Sequence, residues 1–280
     1  MDFTRAEATL RDIVAPVVAE LERAGVPSEH VMLVGAVCRD VLHQAAGHTS
    51  ILRATSDLDL ALAIDGWDRY QEITSQLEEV RTGTRIRFRV VDVLVDLVPF
   101  GGLENPDGLV PAPGFDGPMN VLGFQDVWRA ATSVTLPTGP AVRVPTIPGF
   151  TVLKLSAWAS RSKTGDYRDG TDVACAMFWY QNTVAVDDLL YREGPGLPLM
   201  ERTGFDAPLA SIMLLVSDAL AILTPPRRQD LRTLWNPTGD HEDLLATYLR
   251  NDRLPGWPRD DRLLAYADAL RAALLEDPVR

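Results

Sequence analysis

The spacing of apolar residues predicts an amphipathic helix near the start of the chain. Between residues 4 and 24 apolar positions recur with helical period. These positions are Leu10, Ile13, Val14, Val17, Val18 and Leu21. Gly25 and Pro27 follow them and predict the end of the helix. Residues 31–34 predict a short buried strand, and the sequence from Gly35 predicts a turn that opens into a second helix.

Strand patterns dominate the next part of the chain. Residues 58–63, Leu-Asp-Leu-Ala-Leu-Ala, alternate between apolar and other residues, which is typical of a strand. Residues 67–80 return to helical period, and residues 85–98 give two β-rich runs. We expect Pro99 and the glycine pair that follows it to end the second run.

The pattern changes again after residue 100. Residues 101–120 are rich in Gly, Pro and Asp and predict a loop, and residues 133–145 predict a hairpin. From Pro148 onward the periodicity is helical. The expected fold class is therefore α+β. Residues 1–147 would form an α/β domain, and residues 148–280 a mainly α-helical C-terminal domain.

Composition and charge narrow the classes of function. The chain has 280 residues and a net charge of −12, whereas proteins that bind long duplex nucleic acid usually carry a basic excess. We therefore expect no DNA partner. No apolar run approaches the roughly 20 residues that a membrane helix needs. The N-terminus lacks the layout of a signal peptide and the two cysteines form no cluster, so we expect a cytoplasmic protein.

Local basic segments leave a contact with an RNA end as one alternative. One segment contains Arg81, Arg85, Arg87 and Arg89, and another contains Arg161 and Lys163. They are equally well explained as solvated faces. The acidic composition, in turn, fits an enzyme that binds divalent metal ions through carboxylates.

The strongest chemical signal is Ser56-Asp57-Leu58-Asp59-Leu60. On a strand, residues two positions apart point to the same face and lie roughly 6–7 Å apart. Asp57 and Asp59 can therefore share a pair of magnesium ions. Leu58 and Leu60 would point to the opposite, buried face. The alternative interpretation is that the acidic residues form the solvent face of an edge strand.

Two neighbouring segments strengthen the catalytic interpretation. Gly35 allows the backbone to approach a phosphate, and the helix after it can aim N–H groups at an anion. Asp96 lies inside an apolar strand, where a charge is costly unless it is paired or bound to metal. Asp92 is expected on the same strand face as Asp96. Paired carboxylates followed by a third on a later strand are what two-metal phosphoryl transfer needs.

These segments resemble the nucleotidyltransferases of the AbiEii abortive-infection toxin type, which belong to the DNA polymerase β superfamily. The matching segments are Gly35-Ala36-Val-Cys-Arg39-Asp40, Ser56-Asp57-Leu-Asp59, Val95-Asp96-Leu-Val-Pro-Phe-Gly101, and a helix with Lys154, Ala157, Arg161 and then Arg168-Asp169-Gly-Thr-Asp172. The resemblance covers residues 30–175. The sequence departs from the family pattern at two points. The stretch between Arg161 and Asp169 is longer, and residue 168 is arginine where the family often has lysine.

The resemblance implies a polymerase β-like nucleotidyltransferase domain, with a mixed sheet and flanking helices, and a role for each matched residue. Asp57 and Asp59 would bind both Mg²⁺ (or Mn²⁺) ions, and Asp96 would complete the site near the acceptor hydroxyl. Gly35 would give room for the triphosphate of an NTP substrate, and Ala36 and Ser56 would be substrate-binding residues. Lys154 would contact phosphate oxygens and is expected to be a catalytic residue.

Several of these roles have structural alternatives. Arg39 would contact phosphate or pair with Asp40. Lys154 and Arg161 share one helix face and would contact phosphate or simply face solvent. Asp169 would stabilise the start of a helix, or bond to Lys154 or to the substrate.

The leading functional hypothesis is a toxin that transfers NMP from an NTP to an RNA 3′ end, with tRNA as the expected acceptor and an antitoxin as a possible partner. The RNA substrate is implied by the resemblance alone. A second hypothesis is transfer to a small molecule such as an aminoglycoside-like antibiotic, since an acidic surface suits a cationic acceptor. A third is a catalytically silent module that binds NTP or an antitoxin.

Overall fold

The computed structural model describes residues 1–80, 85–111, 117–191, 194, 196–235 and 241–276. The chain forms two compact units, Met1–Thr146 and Ile147–Arg280. The first unit contains a mixed sheet with helices and the second is helical, so the architecture is α+β. Among the described residues, no helix has both the length and the apolar character to cross a membrane.

The first unit carries every strand of the described chain. The strands are β1 Val31–Val34, β2 Asp57–Ile64, β3 Glu78–Glu79, β4 Arg87–Val90, β5 Val93–Gly101, β6 Leu109–Val110, β7 Met119–Asn120, β8 Thr132–Thr135 and β9 Ala141–Val144. The main sheet has the order β3-β4-β5-β2-β1-β9-β8, and β6 and β7 pair separately. β2 is parallel to β5 and β1 is parallel to β9, while the other neighbours are antiparallel.

Helices lie at the N-terminus of the first unit and between its strands. A 3₁₀ turn, Phe3–Ala6, and a π-helical turn, Leu10–Val14, flank the short α1, and a second 3₁₀ turn, Ser28–His30, precedes β1. The α-helices are α1 Glu7–Thr9, α2 Ala15–Arg23, α3 Gly35–Ala45, α4 Trp67–Thr74 and α5 Phe124–Ala130. The predicted first helix is therefore real, but it is built from segments of different helical pitch.

The second unit is helical throughout its described residues. Its α-helices are α6 Ile147–Arg161, α7 Asp169–Gln181, α8 Val184–Leu190, α9 Gly196–Arg202, α10 Ala207–Ile222, α11 Pro225–Trp235, α12 His241–Tyr248 and α13 Arg262–Leu275, with a 3₁₀ turn at Ser162–Thr164. α10 is apolar on most of its surface and contacts α6, α7 and α13, as expected for a central helix.

The predicted strand around Asp92 and Pro99 needs two corrections. Asp92 does not lie on β5, because Val91 and Asp92 have positive φ angles of 49° and 62° and form the turn between β4 and β5. Pro99 does not end the strand, which continues to Gly101. Pro99 pairs instead with Leu62 on β2, within the parallel register of β2 and β5.

Two smaller predictions also differ from the structure. The helix expected over residues 67–80 ends at Thr74, and Glu78–Glu79 pair with β4 instead. The segment expected to be loop contains the short pair β6 and β7. The hairpin predicted over residues 133–145 is confirmed by the antiparallel pairing of β8 with β9.

Candidate carboxylate site and buried lysine network

Asp57, Asp59 and Asp96 project from one face of two adjacent strands. Asp59 on β2 is paired in register with Asp96 on β5, and Asp57 lies two residues before Asp59 on the same strand. All three are partly exposed, whereas Leu58 and Leu60 between them are fully buried. The alternation of the sequence therefore sets carboxylates on one face and core leucines on the other.

The site lies at the middle of the sheet. β2 is the fourth of seven strands, with β5 on one side and β1 on the other. The interpretation of the acidic pair as the solvent face of an edge strand is therefore wrong. Carboxylates grouped at a central position of a sheet repel one another unless a cation offsets their charge.

Arg87 supplies such a cation. Its Nε and Nη2 donate to the two oxygens of Asp96 at 2.7 and 2.6 Å, and Nη2 also donates to Asp57 Oδ2 at 2.8 Å. The Asp96 and Asp57 side chains are 15% and 28% exposed, so these bonds are partly shielded from water. The hydrogen bonds to Asp96, together with the charges of Asp96, Asp57 and Asp59, raise the pKa of Arg87.

Sequence reasoning missed the role of Arg87. It placed Arg87 in a basic segment with Arg85 and Arg89, both of which are exposed, and with Arg81, which lies outside the described residues. The signal was the hairpin turn. A two-residue turn at Val91-Asp92 sets the register of β4 against β5, and this register pairs Arg87 with Asp96.

Gly35 approaches the same site from β1. It is the first residue of α3 and has a φ of +66°. A Cβ at this position would stand 1.9 Å from Asp59 Oδ2, which is far inside van der Waals contact. The space that glycine leaves is therefore filled by the Asp59 carboxylate, at the end of α3 that favours an anion.

The segment before β2 adds a hydroxyl to the site. Thr55 Oγ1 donates to Asp57 Oδ1 at 2.5 Å. Ser56 is exposed in the bend that enters β2, and Ala36 is partly exposed in the first turn of α3. Ser56 and Ala36, both expected to bind the substrate, are thus the sequence neighbours of Asp57 and Gly35.

Of the two roles expected for Arg39, the structure contains the pairing with Asp40. Its side chain is 2% exposed and donates from Nε and Nη2 to Asp40 Oδ1, at 2.9 and 2.8 Å. Nη2 also donates to the Arg53 carbonyl at 2.6 Å. Arg39 therefore ties α3 to the segment that leads into β2.

Lys154 is buried in the second unit instead of facing solvent. Its Nζ lies 3.1 Å from Asp169 Oδ1 and 2.6 Å from Asp172 Oδ2, and both aspartates are buried. Burial alone would lower the pKa of Lys154, but the charges of Asp172 and Asp169 outweigh it and raise the pKa. The alternative in which Asp169 bonds to Lys154 is the one the structure contains.

Arg161 extends this network toward solvent. Its Nη1 donates to Asp169 Oδ2 at 3.0 Å, while half of its side chain is exposed. Each oxygen of Asp169 thus has its own cationic partner. Of Lys154 and Arg161, only the outer part of Arg161 faces solvent.

The donor set of the carboxylate site fits a hard divalent cation, because Mg²⁺ and Mn²⁺ prefer carboxylate oxygens. As arranged here, Asp57 and Asp96 are held by Arg87. Among the described residues no group of three His, Cys, Asp or Glu side chains forms a ready metal site. A metal at Asp57, Asp59 and Asp96 would therefore lie beside the guanidinium of Arg87.

Comparisons with protein families and with curated proteins identify no relative. No protein-family model matches the sequence, and no curated protein is similar to it. A functional assignment consequently depends on the geometry of the site and on the motif order of the chain.

Proposed function

We propose that this protein is a metal-dependent nucleotidyltransferase, which transfers NMP from an NTP to an acceptor hydroxyl. The main support for this proposal is a set of three carboxylates on one face of two central strands, Asp57, Asp59 and Asp96. The helix α3 begins beside them with Gly35 against Asp59. Metal ligands next to a helix N-terminus suit a substrate that carries both phosphates and a divalent cation.

The proposed chemistry is an in-line attack of the acceptor hydroxyl on the α-phosphate, with pyrophosphate as the leaving group. Asp57 and Asp59 would hold Mg²⁺ or Mn²⁺, which offsets charge on the phosphates when bound. Asp96 would orient the acceptor hydroxyl or accept its proton. Thr55 would keep the Asp57 carboxylate in place through its hydrogen bond.

Further roles in the proposal come from the resemblance to AbiEii-type toxins. Lys154 and Arg161 would contact phosphates, as the matched motif implies. The burial of Lys154 between Asp169 and Asp172 supports a positioning role equally well. The polymerase β-like identity of the first unit is part of the same proposal, and its support is the mixed sheet with paired carboxylates on β2.

The proposed acceptor is an RNA 3′ end, with tRNA first among the candidates, in a toxin whose action an antitoxin would oppose. The exposed cations Arg85, Arg161 and Lys163 support a short contact with RNA phosphates. A small cationic acceptor, such as an aminoglycoside-like antibiotic, is the second candidate. The net charge of −12 favours it, because a cationic ligand is attracted to an acidic surface.

One observation favours a catalytically silent module instead. Arg87 already occupies both oxygens of Asp96 and one oxygen of Asp57. If that arrangement were permanent, the carboxylates would be a structural ion-pair network and would bind no metal. The function test must therefore read out chemistry as well as binding.

The test incubates the purified full chain with each labelled NTP, Mg²⁺ or Mn²⁺, and either total RNA or an aminoglycoside. We expect pyrophosphate release and label on an RNA end. Transfer of label to the aminoglycoside instead would assign the second acceptor class. Absence of pyrophosphate with every NTP, metal and acceptor would leave the silent module as the function.

The matched variants are Asp59→Asn and Asp92→Asn. Both remove one negative charge, but Asp92 lies in the exposed turn outside the carboxylate face. We expect Asp59→Asn to abolish pyrophosphate release and Asp92→Asn to retain it. Equal activity of Asp59→Asn and wild type would contradict the site assignment.

A further inference from the structure

The three hydrogen bonds of Arg87 fall on the oxygens that a metal would use. Arg87 Nε and Nη2 take the two oxygens of Asp96, at 2.7 and 2.6 Å. The same Nη2 takes Asp57 Oδ2 at 2.8 Å. A guanidinium that binds a carboxylate through both oxygens is one of the strongest side-chain ion pairs in proteins. A divalent cation bound to Asp96 would therefore have to share these oxygens with the positively charged guanidinium of Arg87.

Charge leads to the same conclusion as geometry. The guanidinium and a divalent cation within the same group of carboxylates would repel each other at short distance. Arg87 is only 27% exposed, so water screens that repulsion weakly. This repulsion favours one cation at a time at Asp57 and Asp96.

We propose that Arg87 is a displaceable counter-cation, and that a divalent metal binds Asp57 and Asp96 only by displacing its guanidinium. This inference rests on the proposed function, since that function is what brings a metal to these carboxylates. In the absence of metal Arg87 holds β4, β5 and β2 together at this face. When the metal enters, it breaks these ion pairs, which lowers its apparent affinity.

A displaceable counter-cation and a permanent structural bridge predict opposite effects of removing Arg87. If Arg87 competes with the metal, its removal makes metal binding tighter. If Arg87 only shapes the site, its removal misplaces Asp57 and Asp96 and makes metal binding weaker or leaves it unchanged. Metal affinity therefore separates the two roles without any measurement of activity.

The experiment titrates the full chain with Mn²⁺ in the absence of nucleotide and follows free Mn²⁺ by electron paramagnetic resonance. We expect Arg87→Gln to bind Mn²⁺ about tenfold more tightly than wild type, a change of about 1.4 kcal/mol. The matched control is Arg89→Gln, which removes the same charge two residues along β4. Arg89 Nε lies 3.6 Å from Glu78 Oε1 on β3, on the side of β4 away from β5, so its removal should leave Mn²⁺ affinity unchanged.

Arg87→Lys keeps the test decisive if Arg87→Gln does not fold. Lysine retains the charge but lacks the fork that takes both oxygens of Asp96, so Mn²⁺ should bind a few-fold more tightly than to wild type. Unchanged or weaker Mn²⁺ binding in the folded Arg87 variants overturns the proposal. So does tighter binding of equal size in Arg89→Gln, because charge alone would then explain it.

Failure of this inference and failure of the proposed function have different signatures. Pyrophosphate release by wild type, combined with unchanged Mn²⁺ affinity in the Arg87 variants, overturns the counter-cation role alone. Tighter Mn²⁺ binding in the variants of a protein that releases no pyrophosphate supports the counter-cation role and overturns the proposed transfer reaction.

Discussion

The carboxylate of Asp59 lies against Gly35, where a side chain would collide with it. A Cβ on Gly35 would stand 1.9 Å from Asp59 Oδ2 and 2.5 Å from Asp59 Cγ. The contact joins the start of α3 to the first part of β2, because Val34, just before Gly35, is paired with Asp59. Glycine at this position therefore sets where one of the three candidate metal ligands can sit.

We predict that Gly35→Ala disrupts the site and destabilises the first unit. The φ of +66° costs a residue other than glycine about 1–2 kcal/mol, and the collision with Asp59 adds to that cost. We expect a lower melting temperature and loss of the proposed pyrophosphate release. The control is Gly66→Ala, since Gly66 has an extended backbone and a Cβ added there would meet nothing within 4 Å. Equal melting temperatures of the two variants would show that Asp59 yields to the new methyl group at little cost.

The arrangement of the carboxylates was predictable because it is local. Asp57 and Asp59 lie on one strand, and a period of two places them on one face with Leu58 and Leu60 on the other. The pairing of Asp59 with Asp96 is not local, because it depends on the register between β2 and β5. Turn residues likewise marked the start of α3 at Gly35 and the hairpin of β8 and β9.

What the sequence did not predict depends on register and packing between separate segments. The pairing of Arg87 with Asp57 spans 30 positions and arises only when β4, β5 and β2 align. The burial of Lys154 depends on how α7 packs against α6. The apolar neighbours of Lys154 on every side of α6, including Leu153, Leu155 and Trp158, were the available signal against an exposed face.

We predict that Asp96→Asn destabilises the protein more than Asp57→Asn. Asp96 accepts two hydrogen bonds from Arg87 and its side chain is 15% exposed, whereas Asp57 accepts one and is 28% exposed. We expect losses of about 1–3 kcal/mol for Asp96→Asn and about 1 kcal/mol or less for Asp57→Asn. Urea denaturation measures both, and Asp92→Asn in the exposed turn is the control. The reverse order of the two losses would show that Asp57 is the main anchor of Arg87.

We predict that Lys154→Met strongly destabilises the second unit. It leaves Asp169 and Asp172 buried without their shared cation, which typically costs about 3–5 kcal/mol. The control is Lys163→Met, which removes the same charge from an exposed position. Adding Asp172→Asn to Lys154→Met should recover part of the loss, because one buried charge is then removed. Urea denaturation at neutral pH provides the measurement, and a loss below about 1 kcal/mol would contradict a buried ion pair.

The same lysine gives a prediction for alkaline pH. The pKa of Lys154 is raised above its ordinary value of 10.5 in the folded state. Its contribution to stability is therefore fully present below about pH 10.5 and is lost as the pH rises through the folded pKa. The difference in free energy of unfolding between wild type and Lys154→Met should stay constant from about pH 7 to about pH 10 and shrink above that range. A difference that already shrinks near pH 8 would mean that the pKa of Lys154 is lowered by burial.

The buried His43 makes stability depend on pH in the opposite direction, because its contribution changes as the pH falls. It is 2% exposed and its ring lies 5.1 Å from that of His48. Burial, with the charges of His48 and Arg39, lowers the pKa of His43 from 6.5 to about 4. The unfolded chain therefore binds a proton between pH 6.5 and 4 that the folded chain does not, so stability falls as the pH falls through this window.

His43→Gln should flatten this acid-side loss, measured as melting temperature from about pH 7 to about pH 4, while His30→Gln at an exposed position should not. Parallel melting curves for wild type and His43→Gln across the window would assign the acid-side loss to other groups.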